Sequence, residues 1–320
     1  MHYLLSWTLG FDCEDQRDKV YCLLGTATEA SQYEIEPNYQ LSVREVYIDV
    51  TVRMLQSNTT LDLLTSAGTR RQSTLNLPSW VPDWSTSDDE WNGLHKPLLL
   101  EAVHVRKEDI NHFHASGDTI SDTEFSSDKL KLTLSAAFID TLTYITNALT
   151  YVSDDTKYVE WLESQSDTLG RSSRYGQESF TALWKTLSGQ RYRFEKDEYW
   201  FHAWWNIHRP GTYENDIPDE YQNPSTRLFM IDLFRGGIQE HVKTRTFSTT
   251  KNGYFCFIPL HAKQGDTIAL LKGGRTPYVV RKEGNEYIFL GEAYDHGLMD
   301  GEALDNKNGL DLKFERITFI

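Results

Sequence analysis

Cysteine is scarce in this 320-residue sequence, which contains Cys13, Cys22 and Cys256. An odd number of separated cysteines with no C-x-x-C pair argues against a disulfide framework and favours a reducing compartment. The first residues lack the basic segment and the small-residue cleavage site of a secretory signal. No run approaches the roughly 18 apolar residues that a membrane crossing requires. We therefore expect a cytoplasmic protein with no membrane span.

Positive charge is also in short supply. The sequence has 32 Lys and Arg residues against 47 Asp and Glu residues, for a formal charge of −15. Because Lys and Arg must neutralise phosphate for nucleic-acid affinity, we expect no DNA or RNA partner. The hydrophobic fraction of 39% with 13% aromatics is typical of a globular chain, and this length is sufficient for a large core.

Motifs for nucleophilic, phosphate and metal chemistry are missing as well. There is no G-x-S-x-G motif, and Lys272-Gly273-Gly274 lacks the spacing of a phosphate-binding loop, so it predicts a hairpin turn. His112 and His114 share one side of a predicted strand, but no third ligand is close in sequence. We expect no metal and no cofactor.

The hydrophobic spacing predicts helices in the first two thirds of the chain. Ser42-Val43-Arg44-Glu45 has the form of a capping box before an amphipathic helix, and a helix is predicted over Asp15–Leu24. Helical spacing returns between Asp154 and Phe234, where Gly189 is expected to end one helix and Gly236-Gly237 to end the last.

Strand patterns dominate the remainder. Beyond Gly237 the period changes to two, in six short segments separated by Gly, Asn or Asp turns. Two further strands are predicted over Leu98–Val105 and Leu130–Ile145. The expected fold class is α+β, with a mainly helical lobe containing a few strands over residues 1–237. A small antiparallel β-barrel or curled sheet over residues 238–320 would pack on it as one compact unit.

An aromatic segment is the first candidate site. Tyr199, Trp200, Trp204 and Trp205 surround most of one predicted helix, which must be buried or line a cavity. Together with Trp80, Trp84 and Trp91 they could form the wall of a pocket for a hydrophobic small molecule. The alternative is an ordinary core, which is the commoner arrangement for any single ring.

An acidic, glycine-rich run, Gly291–Glu302, is the second candidate. Its acids and its histidine could perform acid–base chemistry, or they could accept backbone hydrogen bonds in tight turns. We favour the structural role. The titratable residues of the run are Glu292, Asp295, His296, Asp300 and Glu302.

Several segments together resemble the region that follows the HET domain in fungal heterokaryon-incompatibility proteins. The matching segments are Arg17-Asp18-Lys19-Val20-Tyr21, Leu23-Leu24-Gly25, Pro37-Asn38-Tyr39, Leu77-Pro78-Ser79-Trp80-Val81-Pro82-Asp83-Trp84, Arg245-Thr246-Phe247, Gly253-Tyr254, Gly265-Asp266, Gly273-Gly274 and Gly291–Glu302. In longer members a TIR-like, nucleotide-handling part lies upstream of the first segment, and here 16 residues precede Arg17. We therefore transfer no NAD-cleaving activity to this chain.

The same resemblance implies a second possibility, because some fungal natural-product pathways use relatives of this kind as cofactor-free cyclases. A Diels–Alderase of the sordarin route, the norbornene synthase type, is an example. On this basis the leading hypothesis is a cofactor-independent cyclase or isomerase, plausibly a pericyclase acting on a terpenoid. It would act by restricting the substrate to a reactive conformer and by hydrogen bonding to a carbonyl. Arg245, Tyr254 and His296 are the candidate donors.

Two alternatives stay open at this stage. The chain could be a non-enzymatic incompatibility or interaction module, which predicts an exposed apolar patch in place of an enclosed cavity. A hydrolase or transferase acting through the acidic run would require two carboxylates that face one cleft. The oligomeric state is not predicted.

Overall fold

The computed structural model describes residues 1–28, 30–68, 74–85, 113–146, 154–170, 173–189, 197–213, 222–305 and 311–320. Seven α-helices lie in these residues. They are α1 His2–Trp7, α2 Asp18–Tyr21, α3 Val43–Ser57, α4 Asp155–Leu169, α5 Ser179–Ser188, α6 Asp197–His208 and α7 Pro224–Thr244. None of them combines the length and apolarity that a membrane crossing needs.

A nine-stranded sheet accompanies these helices. Its strands are β1 Glu124–Phe125, β2 Leu132–Thr146, β3 Arg245–Thr250, β4 Phe255–Pro259, β5 Thr267–Leu271, β6 Tyr278–Glu283, β7 Glu286–Glu292, β8 Tyr294–Asp295 and β9 Glu315–Phe319. Helices and strands follow each other in largely separate blocks, so the predicted α+β class is confirmed. The predicted strand over Leu98–Val105 lies outside the described residues.

Strand β2 connects two parts of the sheet. Its first residues pair with β9, its middle pairs with β5 and its last residues pair with β3. Since β5, β6, β7 and β9 are also paired in that order, these four strands and β2 form a closed ring. The β7–β9 pairing is parallel, so the sheet is mixed, whereas we expected an antiparallel one. The ring therefore draws one strand from the predicted helical lobe.

Local sequence signals account for several helix ends. Ser42 accepts a hydrogen bond from the Glu45 amide, and the Glu45 carboxylate accepts one from the Ser42 amide, which confirms the capping box. The Asn223 side chain accepts from the first amides of α7, and Pro224 occupies the first turn. Gly189 ends α5 in a left-handed conformation, as the sequence predicts.

Two helix predictions were wrong. The helix predicted over Asp15–Leu24 is reduced to α2, because the chain beyond Tyr21 tightens into bonds between residues three apart. Helix α7 does not end at Gly236-Gly237 but continues to Thr244. Two glycines cost the helix roughly 2 kcal/mol, and burial of Ile238 and Val242 beyond them offsets that cost. The predicted boundary at 237/238 falls inside α7, and the division into two units stays a prediction.

The buried apolar side chains form three clusters. The first core contains α1, α2, α3, the Leu77–Trp84 segment and one face of the ring strands. The second core lies between α4, α5, α6, α7 and strands β3 and β4. The third core contains the alternate side chains of β4, with Cys256 and Ile258 facing it while Phe255 and Phe257 face the second core. Strand β4 is therefore covered on both faces.

Candidate functional site

Arg245, the first predicted donor, forms a buried ion pair. Its Nη2 lies 2.7 Å from Glu292 Oε1, and its Nη1 donates to the Glu292 carbonyl at 2.6 Å. The two side chains are 1% and 2% exposed. The pair joins the start of β3 to the end of β7, so this guanidinium is committed to holding two strands together.

Tyr254 and His296 both lie near the start of β4, and no direct contact joins their side chains among the described residues. The Tyr254 ring is buried beneath the Arg174 guanidinium, 4.0 Å from the ring centre. Its hydroxyl has no hydrogen-bond partner in the part of the chain that the structure describes. The His296 amide donates to the Phe255 carbonyl, and burial lowers the pKa of the imidazole to about 4. His296 is therefore neutral near pH 7.

The structure does not bring the three predicted donors to one place. Arg245 is paired with Pro259 at the far end of β4, whereas Tyr254 precedes the first residue of that strand. Five residues of extended chain correspond to about 17 Å. A single substrate carbonyl cannot contact both ends, and the catalytic role of each residue stays a prediction.

The aromatic rings of α6 pack against other rings. Trp184 and Phe201 are stacked at 4.3 Å, and the ring of Trp205 lies 4.7 Å from that of Phe180. Trp204 contacts Tyr158 at 5.8 Å and donates its indole N–H to Asp155. Trp200, Trp204 and Trp205 are all buried, and Tyr199 is partly exposed. These side chains form the interior of the second core.

Trp80 and Trp84 lie in a different cluster. Trp84 packs edge-on against Tyr47 of α3 at 5.0 Å, and Trp80 packs against Phe125 of β1 at 5.6 Å. Both belong to the first core, whereas the α6 rings belong to the second. The six predicted binding residues that the structure describes, four on α6 and two in the Leu77–Trp84 segment, are thus divided between two cores. Trp91 lies outside the described residues.

Two clefts of about 570–580 Å³ are lined by other parts of the described chain. One includes Leu77, Pro78, Leu130 and Ile288, with Arg44 and Lys131 among its polar residues. The other includes Thr60, His114, Thr119, Gly273 and Arg275. Neither cleft is lined by any of the six predicted binding residues or by the three predicted donors.

Besides Glu292, the acidic run contains a second buried acid, Asp295, which the sequence does not distinguish from its neighbours. Asp295 is paired across β8 and β4 with Cys256, and both are fully buried. The Cys256 thiol is its neighbour on the adjacent strand, neither carboxylate oxygen of Asp295 has a hydrogen-bond partner among the described residues, and burial raises the pKa of Asp295 to about 7. The same environment raises the pKa of the Cys256 thiol well above its ordinary value, first through burial and then through the nearby carboxylate. Such a thiol is a poor nucleophile.

A metal site is not formed by the described residues, where no group of three His, Cys, Asp or Glu side chains is suitably placed. His114 instead lies 3.6 Å from the exposed Asp118 carboxylate. His112, the other member of the predicted pair, lies outside the described residues.

The most distinctive exposed feature is one side of α7. Leu228, Phe229 and Leu233 are 55%, 65% and 45% exposed. Asp232 is exposed between them, and a Cβ added at Gly236 would meet nothing within 4 Å. We call Leu228, Phe229, Asp232, Leu233 and Gly236 the α7 outer face. The sequence contained a signal for it, since these residues fall off the buried stripe of Ile231, Phe234, Ile238 and Val242.

Part of the chain matches a known fungal domain. Residues 224–312 match the Het-6 beta-barrel domain, which begins at the first residue of α7 and extends through β8. Strands β2 and β9, which complete the ring, lie outside the matched residues. No solved structure matches the chain.

The chain is also similar to heterokaryon incompatibility protein 6, OR allele, of Neurospora crassa. The two chains are 23% identical over 357 aligned residues, which include 91% of this chain. The chain spans about half the length of that relative, 49%. The domain match and this relative together support a relation to the fungal heterokaryon-incompatibility family. They provide no support for a relation to Diels–Alderases.

Proposed function

We propose that this chain is a non-enzymatic interaction module of the heterokaryon-incompatibility type, which binds another polypeptide through the α7 outer face. The observation that carries the proposal is the exposure of Leu228, Phe229 and Leu233 on two successive turns of one helix. An interaction module requires an apolar patch of this kind. The relation to an incompatibility protein supports the biological setting.

Covering the α7 outer face with a partner would contribute a favourable free energy of binding. Each of the three side chains is about half exposed, so covering it contributes about 1 kcal/mol. Contributions of this size from a few neighbouring residues are what protein interfaces depend on. In an isolated chain the same surface is left in contact with water.

The cyclase hypothesis has less support. It needs a cavity lined by Trp80, Trp84 and the α6 rings, but these side chains contact other rings in two separate cores. It also needs a donor near the substrate carbonyl, and Arg245 is engaged by Glu292. The pericyclase hypothesis at these residues stays a prediction.

Expression in a filamentous fungus that undergoes hyphal fusion tests the proposal. We expect the intact chain to slow growth of the fused mycelium relative to an empty vector. The double variant Phe229→Ser with Leu233→Ser should restore growth, because it removes apolar surface without touching the cores. Phe11→Ser is the matched control, since Phe11 is 67% exposed elsewhere on the molecule. Accumulated protein must be equal in all strains.

The competing activity is measured on purified protein. Linear terpenoid aldehydes and acids are incubated with the chain, and isomers of unchanged mass are quantified against the spontaneous background. The proposal predicts rates equal to background. Growth that is independent of the α7 outer face, or cyclisation well above background, would overturn it.

A further inference from the structure

We infer that the α7 outer face docks an amphipathic helix of the partner, which seats an apolar side chain over Gly236 and places a Lys or Arg beside Asp232. This inference rests on the proposed function and specifies the chemistry of its partner. It depends on three observations, which concern the shape of the face, an unexplained glycine and the local charge.

The face has the shape of a ridge followed by a groove. Phe229 and Gly236 are seven residues apart, about two helical turns, so they lie on the same side of α7. Phe229 is 65% exposed, while Gly236 is partly buried but leaves open space at the position that a Cβ would occupy. Helices associate by fitting ridges of one into grooves of the other. A crossing helix can therefore approach the α7 backbone closely at Gly236.

Gly236 has no explanation within the described chain. A glycine inside a helix costs about 1 kcal/mol relative to alanine. The φ angle of Gly236 is not in the left-handed region, and an added Cβ would clash with nothing. By contrast, a Cβ at Gly68 would lie 2.5 Å from the Leu290 carbonyl, so that glycine is required by the fold itself. The requirement at Gly236 is most simply imposed by something that packs on it from outside.

Charge favours a basic partner over a second copy of this chain. Asp232 is exposed among the apolar residues of the face, and the whole chain carries −15. A cation on the partner helix would pair with Asp232 at the rim of the contact, and the surrounding field would speed its approach. Association of two copies would bring two strongly acidic molecules together. We therefore assign the face to a basic amphipathic helix.

Two synthetic helices of about 18 residues provide the probe, a length at which isolated helices are stable enough to use. Both carry the same leucine stripe, and their polar positions are all Lys in one and all Glu in the other. Binding of each labelled peptide to the full chain is measured by fluorescence anisotropy. We expect the Lys helix to bind about tenfold more tightly than the Glu helix, and Asp232→Lys to narrow this ratio.

Variants that preserve charge separate docking from general attraction to an acidic protein. Phe229→Ser should weaken Lys-helix binding about tenfold, and Phe11→Ser should leave it unchanged. Gly236→Leu is the sharpest variant. The added leucine increases the apolar surface, so an apolar patch without a defined shape would bind the Lys helix more tightly. A groove that accepts a side chain of the partner would instead be filled, and Lys-helix binding would weaken.

Each outcome separates this inference from the proposed function. Lys-helix binding that is unaffected by Phe229→Ser and Gly236→Leu would overturn the inference, and so would a dimer of this chain that Phe229→Ser converts to monomer. If growth depends on the α7 outer face while peptide binding does not, the proposed function stands and the helical, basic partner is wrong. If peptide binding depends on the face while growth does not, the docking site stands and the incompatibility role is wrong.

Discussion

Helices α6 and α7 differ in how far neighbouring elements cover their apolar side chains. Helix α6 contains five aromatic residues among Tyr199–Trp205 that suggest a ligand cavity, yet its rings pack in a core. Helix α7 has an ordinary amphipathic stripe, yet it exposes Leu228, Phe229 and Leu233. Aromatic density indicates how much surface a helix buries, and it does not reveal whether a space remains beside it. Apolar surface that the fold leaves exposed to water is the better indicator of a binding site.

The difference arises from the number of neighbours. Helix α6 has α4, α5 and α7 around it, and its rings contact Tyr158, Phe180 and Trp184 from these elements. A helix that is apolar on nearly every side requires such surroundings. Helix α7 is covered on one side, where its buried stripe meets the second core. Its other side is open to a partner.

Removing a ring from α6 should have the largest effect. Trp204→Ala deletes a fully buried indole and should lower the free energy of unfolding by about 3–5 kcal/mol in urea titrations. Trp7→Ala is the matched control, because Trp7 is 51% exposed and should cost less than about 0.5 kcal/mol. A loss below about 1 kcal/mol for Trp204→Ala would mean that a space already exists beside the ring.

A second prediction concerns the buried ion pair between Glu292 and Arg245, the residue that follows α7. Arg245→Met leaves the Glu292 carboxylate buried without its cation and should lower the free energy of unfolding by about 3 kcal/mol. We place the value at the lower end of the usual range because Glu292 can take up a proton. The double variant Arg245→Met with Glu292→Gln should be more stable than the single variant. If the single variant matches the wild type, the pair does not hold β3 to β7.

A pH-dependent effect is expected at Asp295. Its folded pKa of about 7 lies above the unfolded value of about 4, so the folded state retains the proton over this interval. The resulting stabilisation is complete below pH 4 and is lost as the pH rises through 7, a change of up to about 4 kcal/mol. Asp295→Asn should therefore show a weaker loss of stability between pH 5 and pH 8 than the wild type.

His296 provides an internal control of opposite sign. Burial lowers its pKa to about 4, so the wild type should lose stability as the pH falls from about 6.5 to 4. His296→Gln should reduce that acid-side loss and leave the alkaline side unchanged. Identical pH profiles for the wild type and both variants would contradict the burial of these two groups.

The smallest effect concerns Gly236 and distinguishes folding from binding. Gly236→Ala should raise the free energy of unfolding by up to about 1 kcal/mol, because it improves helix propensity and meets open space. The same change should weaken binding of the Lys helix, since a methyl group enters the groove. Parallel gains in stability and in binding would show that the glycine has no role in contact with a partner.

Local signals predicted much of the fold. The capping box at Ser42, the end of α5 at Gly189 and most strand segments beyond residue 244 follow from short patterns of side chains. These features depend on contacts between residues close in sequence. The α+β class follows from the same patterns.

Features that depend on distant contacts could not be predicted. The sharing of β2 between β9, β5 and β3 is set by residues more than 100 positions apart. Continuation of α7 through Gly236-Gly237 depends on burial of Ile238 and Val242 against the second core. The candidate site could not be predicted for the same reason, because no pattern in the sequence indicates whether Trp204 faces a cavity or another ring.

One pair of identical substitutions tests the contrast between the two helices most directly. Phe201 of α6 is fully buried and Phe229 of α7 is 65% exposed, so serine is introduced at each position in turn. We predict that Phe201→Ser lowers the free energy of unfolding by about 3–5 kcal/mol or more, whereas Phe229→Ser changes it by less than about 0.5 kcal/mol and still weakens Lys-helix binding. Comparable losses of stability at the two positions, or Lys-helix binding that is unaffected by Phe229→Ser, would contradict the division between a core helix and a docking helix.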